Sequence, residues 1–291
     1  MLVLHNEFLS AKINELGAEL VSVTSDDQLE YIWQGNKKFW GRHAPVLFPI
    51  VGRLKDDSYQ YQNQTYQMSQ HGFARDQHFV VESQTDETVT LLLRDNEQTL
   101  AMYPFHFELR VNYTLEQHQL MVTFNVINCG SELMYFALGA HPGFNVPLDA
   151  AGGDFTNYFV KVAPAQKYER VPLEAPLSNP YNLKTIDLTK PLMLDRDLFK
   201  ADAQVLMLNN RETTVMLASN LDDRGVAMTV FDAPYLGIWS PYPKEAPFVC
   251  LEPWWGIADT VDASGQLEHK FGINMLPAQE QFDTKYSLTF F

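Results

Sequence analysis

Phe107-Glu-Leu-Arg-Val-Asn-Tyr-Thr-Leu115 carries an apolar side chain at every odd position and a polar one at every even position. Successive side chains of a strand point to opposite faces, so this alternation predicts a strand with one face in a core and the other in water. The polar stretch Glu116-Gln-His-Gln119 follows, and then Leu120-Met-Val-Thr-Phe-Asn-Val-Ile127, so the two runs predict an antiparallel hairpin. Working outward, Tyr59-Gln-Tyr61 and Thr65-Tyr-Gln-Met68 flank Gln62-Asn-Gln64, and residues 213–219 are joined to 226–231 through Asn220-Leu-Asp-Asp-Arg-Gly225. No window sustains apolar residues at i, i+3, i+4 and i+7 for three turns, so helices are expected only as short connectors. The fold class is therefore all-β, a large antiparallel β-sandwich with few short helices.

The chain, 1–291, reads as a single domain. Tyr286-Ser-Leu-Thr-Phe290 resumes the strand pattern at the end, and no internal repeat or low-complexity tract divides the whole. Pro147, Pro164, Pro172, Pro176, Pro180 and Pro191 punctuate residues 145–200, which predicts a long irregular excursion.

The formal net charge is -15, from 36 acidic and 21 basic side chains, with no run of Lys or Arg to track a phosphate backbone. Nucleic acid is not an expected partner. No stretch approaches the roughly 18 apolar residues of a membrane span, and the first residues lack a basic segment leading into an apolar one. No membrane partner is expected, and a cytoplasmic location is. Cys129 and Cys250 are far apart and flanked by apolar, strand-like residues, which predicts buried free thiols.

Three stretches put ionisable groups where strand-like runs meet turns: Gln70-His-Gly-Phe-Ala-Arg75, Gly139-Ala-His-Pro-Gly-Phe144 and Cys250-Leu-Glu-Pro-Trp-Trp-Gly256. His141 ends an apolar run, and alternation sets it beside Ala137 and Gly139, whose small size predicts open space next to the ring. Taken alone, such a histidine more often hydrogen-bonds a turn carbonyl. Glu252 falls on the face of Phe248 and Cys250, just before Pro253, where regular pairing is expected to stop. A carboxylate on such a face is costly unless paired or working, and burial raises its pKa toward the range of a general base. A structural bridge to an arginine is the plainer alternative.

His71 is expected in a loop, Arg53 at the end of the run Leu47-Phe-Pro-Ile-Val-Gly52, and Arg75 as a second cation beside His71 or a solvated charge. Trp254 and Trp255 suit a core, with one indole face free as a platform for a sugar ring. The eight histidines are scattered singly, so no metal site is expected. Neither a Gly-x-Ser-x-Gly elbow nor a glycine-rich loop opening a helix is present, and paired carboxylates for glycoside hydrolysis are not evident. One proton donor and one carboxylate base suffice to open and reclose a hemiacetal without a cofactor.

Gly52-Arg53, His71-Gly-Phe73, His141-Pro-Gly-Phe144 and Glu252-Pro-Trp254, in that order over nearly the whole chain, resemble the aldose 1-epimerase family, the galactose mutarotases. The resemblance implies two large twisted antiparallel sheets with an open cleft for a sugar and no cofactor. It implies His141 as the acid that protonates the ring oxygen, Glu252 as the base that takes the C1 hydroxyl proton, and His71 as a helper near the ring oxygen. Arg53 then hydrogen-bonds a sugar hydroxyl. Asp202 is the best match to a hydroxyl-gripping aspartate, with Asp195 and Asp197 close by in sequence. The implied reaction is interconversion of hexose anomers. Arg75 beside His71 keeps a hexose 6-phosphate open as the substrate, and a non-catalytic sugar-binding protein is the other alternative. The expected partner is a small-molecule sugar, the protein being a monomer or homodimer. His141 and Glu252 are expected to face each other across a cavity one pyranose wide.

Overall fold

The computed structural model describes residues 1–291 apart from the side chain of Ala150. Two large antiparallel sheets carry the fold. The strands used below are β1 (Val46–Leu47), β2 (Phe107–Glu116), β3 (Gln119–Asn128), β4 (Leu138–Ala140), β5 (Gly143–Asn145), β6 (Gln204–Met207), β7 (Tyr235–Trp239) and β8 (Phe248–Trp255). One α-helix, Glu97–Met102, and several single-turn 3-10 helices connect the strands among the described residues.

The expected hairpin forms as β2 and β3, paired Phe107 to Asn128 through Glu116 to Gln119. Phe107, Leu109, Val111, Tyr113 and Leu115 are at most 1% exposed, so the alternation does aim one face inward. This hairpin lies within a nine-stranded sheet that also contains the last strand, Gln281–Phe290. The second sheet has eight strands and includes, in spatial order, β6, β7, β8, β4 and β1, with β5 also paired to β8.

The 145–200 stretch is more regular than its prolines suggest. Tyr158–Ala163 and Leu192–Met193 join the first sheet, whereas Lys167–Val171 and Lys184–Asp187 join the second. The prolines sit between these short strands, where no ladder donor is lost.

Alternation in the second sheet separates two apolar bodies. Val249, Leu251 and Trp255 of β8, Leu236 and Ile238 of β7, and Leu138 and Ala140 of β4 belong to the large core between the sheets. Phe248 and Cys250, and separately Trp254, Tyr235 and Val205, belong to two smaller clusters on the opposite face. Every residue of β8 is buried, because that outer face is roofed by loops such as 33–40, whose Trp33, Phe39 and Trp40 pack on Phe248 and Cys250. Glu252, two residues from Cys250, shares this outer face. The candidate residue Glu252 therefore lies on the outside of the second sheet, not between the sheets.

Candidate active site

Pro253 does not end its strand: β8 continues to Trp255, with Pro253 opposite Leu236 and Trp254 opposite Tyr235 of β7. On its other edge β8 pairs with β4 at Trp254 and Trp255 and with β5 at Phe248, Val249 and Cys250. Between them the chain bends at His141 and Pro142, and Leu251 N–H donates to the Pro142 carbonyl at 3.2 Å. The proline thus falls beside an interruption in the ladder, where a missing N–H costs nothing. The same bend brings His141 over Glu252.

The two groups touch. His141 Nε2 lies 3.1 Å from Glu252 Oε2, and the two side chains are 9% and 2% exposed. They do not face each other across a ring-sized gap, and the open space expected beside Gly139 is filled: a Cβ there would lie 2.9 Å from Trp254 Cδ1 and 3.2 Å from Leu47 and Val51. Aromatic rings bound the imidazole. Trp40 stacks on the His141 ring at 4.8 Å, and Trp239 meets it edge-on at 5.5 Å. The His71 ring stands perpendicular to it at 5.5 Å.

Burial is the largest influence on both members of the pair and acts in opposite directions. It lowers His141 to about 3, helped by the positive charges of Arg75 and Arg42. It raises Glu252 well above the carboxylate range, reinforced by the Asp202 carboxylate. The Trp254 indole N–H faces Glu252 and partly offsets this, without closing a hydrogen bond of good geometry. Both shifts favour an uncharged pair, a carboxylic acid beside a neutral imidazole.

His71 sits in a turn at φ 67°. Its N–H donates to Gly52 O at 2.7 Å, and Gly52 N–H donates back to Nδ1 at 3.1 Å. Because Nδ1 accepts, the neutral ring carries its proton on Nε2 and can offer it to a ligand. Burial, then the neighbouring His141, then Arg75, Arg42 and Arg53, hold His71 well below its usual pKa. The turn is pinned by Gly72 (φ 70°), where a Cβ would meet Phe48 O at 2.2 Å.

The remaining expected residues separate. Asp202, at φ 71°, has its carboxyl raised by burial and partly relieved by the Ala203 N–H and the Trp239 indole. It is the aspartate whose charge reaches Glu252. Asp195 instead caps the short helix Arg196–Phe199 by accepting from Asp197 N–H, and both side chains are exposed. Arg53 is half-exposed at the rim, its Nη1 3.5 Å from Asp57. Arg75 is largely buried, donates to the Gln70 carbonyl, and holds its Nε 3.8 Å from Asp76 Oδ2 without a hydrogen bond. Burial and then Arg42 push it down to about 10, and Arg42 is itself bound to Asp76 at 2.9 Å. Trp254 is 6% exposed and packed among Leu47, Val51 and Tyr235, so it is a wall under the site, while Trp40 and Trp239 present the half-buried indoles.

Trp40, Trp239 and Arg42 escaped sequence reading. Trp239 was within reach, since β7 alternation aligns it with Gly237 opposite Glu252; Trp40 and Arg42 come from a loop without periodicity. Cys129 is exposed, contrary to expectation, and Cys250 is buried. Nor did histidine spacing reveal that one nitrogen of His141, Cys250 Sγ and one oxygen of Glu252 lie within 4.8 Å of one another. A separate cavity of about 240 Å³ is lined by Leu54, Tyr59, Tyr181 and Lys270. Its buried Lys270 is bound to Asp259 at 3.0 Å and to the Ile257 carbonyl at 2.6 Å, so it holds no idle charge for acid–base work. No helix among the described residues is long and apolar enough to cross a membrane.

Comparison with known proteins shows the family of the chain. A galactose mutarotase related enzyme from Lactobacillus acidophilus shares 43% identity and superposes with a TM-score of 0.97, covering 100% of this chain and 97% of its own. A galactose mutarotase-like protein from Lactobacillus casei shares 36% identity, with a TM-score of 0.91 and full coverage of both chains. Protein LacX of Lactococcus lactis is 33% identical over 297 aligned positions, spanning 98% of each chain. The family model described as aldose 1-epimerase matches residues 1–272, and the chain belongs to that family.

Proposed function

We infer that the protein interconverts the α and β anomers of a hexose, with His141 and Glu252 moving the protons. The observation that carries this reading is their 3.1 Å contact on the buried outer face. The two reacting oxygens of a hemiacetal share one carbon and lie only about 2 Å apart, so an acid and a base serving both must be neighbours. Groups held a pyranose apart would not reach them together.

Ring opening starts with the proton on His141. Nε2–H protonates the ring oxygen as the C1–O5 bond breaks, and Glu252 takes the O1 proton as the C1 carbonyl forms. The pair is left as neutral imidazole and carboxylic acid, the state that burial favours on both residues. Rotation about C1–C2 turns the other face of the aldehyde to the C5 hydroxyl. On reclosure His141 regains its proton and Glu252 returns the other. In the empty site the proton rests on Glu252, and its transfer to Nε2 across the contact arms the next turnover. His71 Nε2–H and Arg53 donate to sugar oxygens, Asp202 accepts from hydroxyls, and the indoles of Trp40 and Trp239 flank the apolar ring face.

A phosphorylated hexose is a second reading, supported by Arg42 and Arg75. The two guanidiniums repel each other and share the carboxylate of Asp76, so a bound phosphate would relieve an excess of local positive charge. Exchange NMR on free hexoses and their 6-phosphates tests both readings. Faster anomer exchange in either set supports catalysis, and the faster set identifies the substrate. Saturable binding with no acceleration in either set would leave a sugar-binding protein and end the catalytic reading.

A further inference from the structure

Anomer exchange leaves one buried nucleophile of the site without a task. Cys250 is 0% exposed, and its Sγ lies within 4.8 Å of a nitrogen of His141 and an oxygen of Glu252, both also buried. Gly143 is its partner across the ladder, and a Cβ there would come to 3.4 Å from Sγ. We propose that His141, Cys250 and Glu252 form a binding site for a soft divalent cation of the zinc type, which shuts the site to sugar.

The donor set is selective. One sulfur, one imidazole nitrogen and one carboxylate oxygen suit zinc, whereas magnesium and calcium take oxygen ligands. A thiolate and a carboxylate neutralise the dication, and the neutral imidazole supplies the third bond without adding charge. Three protein ligands leave a fourth position for water. Zinc bonds of about 2.0–2.3 Å hold tetrahedral ligands roughly 3.5 Å apart. The present spread is within 4.8 Å and the His141–Glu252 edge is already 3.1 Å, so an approach of about 1 Å between Cys250 Sγ and the other two ligand atoms closes the set. A bound ion would occupy Nε2 and the carboxylate, the two groups assigned to the protons, so metal and sugar exclude each other.

The site rests on side-chain placement; only the inhibition rests on the proposed reaction. Cobalt(II) therefore serves as a probe independent of activity. The intact protein should bind one cobalt(II) per chain with a thiolate-to-cobalt charge-transfer band, and zinc should displace it. Zinc should also stop anomer exchange, with sugar competing and a chelator restoring the rate. Cys250→Ala should lose the band and weaken zinc binding by more than about 100-fold, beyond what loss of an outer partner costs, while exchanging anomers like the wild type. Cys250→Ser, nearer in size, replaces it if the alanine variant does not fold, and the wild-type cobalt spectrum needs neither. Absence of the band at saturating cobalt(II) overturns the site. A band with no effect of zinc on an active enzyme overturns the inhibition, as does equal inhibition of the wild type and the Cys250 variants.

Discussion

At the scale of the residue, the pairing of His141 with Glu252 sets stability against chemistry. Glu252→Gln and His141→Asn should each slow anomer exchange by about 10² to 10⁴-fold, the usual contribution of a positioned acid or base, as read by polarimetry on a fresh single anomer. Stability separates the two roles of Glu252. Its pKa is raised on folding, so its contribution is fully present below the unfolded value of about 4.5 and is lost as pH rises through the folded value. Glutamine cannot ionise and escapes that loss. Glu252→Gln should therefore be more stable than the wild type at pH 8, by about 1–2 kcal/mol, while being nearly inactive. A variant that is both inactive and less stable in urea at pH 8 would mean that the carboxylate is a structural partner of His141, with no cost to relieve.

At the scale of the element, the position of β8 depends on two glycines that grip Trp254 from neighbouring strands. A Cβ on Gly237 of β7 would lie 2.9 Å from Trp254 Cζ2 and 3.4 Å from Glu252 Cβ, whereas the atoms nearest to one on Gly139 of β4 belong to Trp254, Leu47 and Val51. Either alanine overpacks a buried wall at about 1–3 kcal/mol. Gly237→Ala also displaces the proposed base, so its exchange rate should fall by about 10-fold or more, with a smaller loss for Gly139→Ala at comparable stability. Equal rates in the two variants would show that Glu252 tolerates movement of its strand. This arrangement was half legible in the sequence. Alternation correctly set Glu252 on one face with Phe248 and Cys250, and the 107–127 hairpin was plain, because both depend only on the two-residue period. The filling of the space beside Gly139 was hidden, since it depends on which strand lies alongside. Pro253 misled for the same reason: its tolerance comes from the bend at His141 and Pro142 in a neighbouring strand. Trp40 and Arg42 reach the site from a loop, where side-chain direction follows contacts far away in the chain and no local period records it.

At the scale of the whole molecule, two responses to acid compete. The chain carries a formal charge of -15, so lowering the pH toward 5 eases self-repulsion and, by itself, favours the compact state. Buried histidines work against this, because the unfolded chain takes up protons that the folded chain refuses. For a histidine with a depressed folded pKa, the stability is present above about pH 6.5 and is lost as pH falls toward the folded value. His141 reports this poorly, since Glu252 shifts the other way beside it. His71 has no such carboxylate partner, and its pKa lies well below 6.5. As pH falls below about 6.5 the unfolded chain takes up a proton that the buried His71 ring refuses, so this group loses stability toward acid. Asn suits the left-handed backbone at this position, and its side-chain oxygen can accept the Gly52 N–H that Nδ1 accepts now. His71→Asn should match the wild type at pH 8 to within about 1 kcal/mol and then keep, at pH 5, stability that the wild type loses. Urea unfolding of both proteins at the two pH values measures the difference. Parallel losses in the two proteins would show that the acid response resides in the charged surface and not in the imidazole.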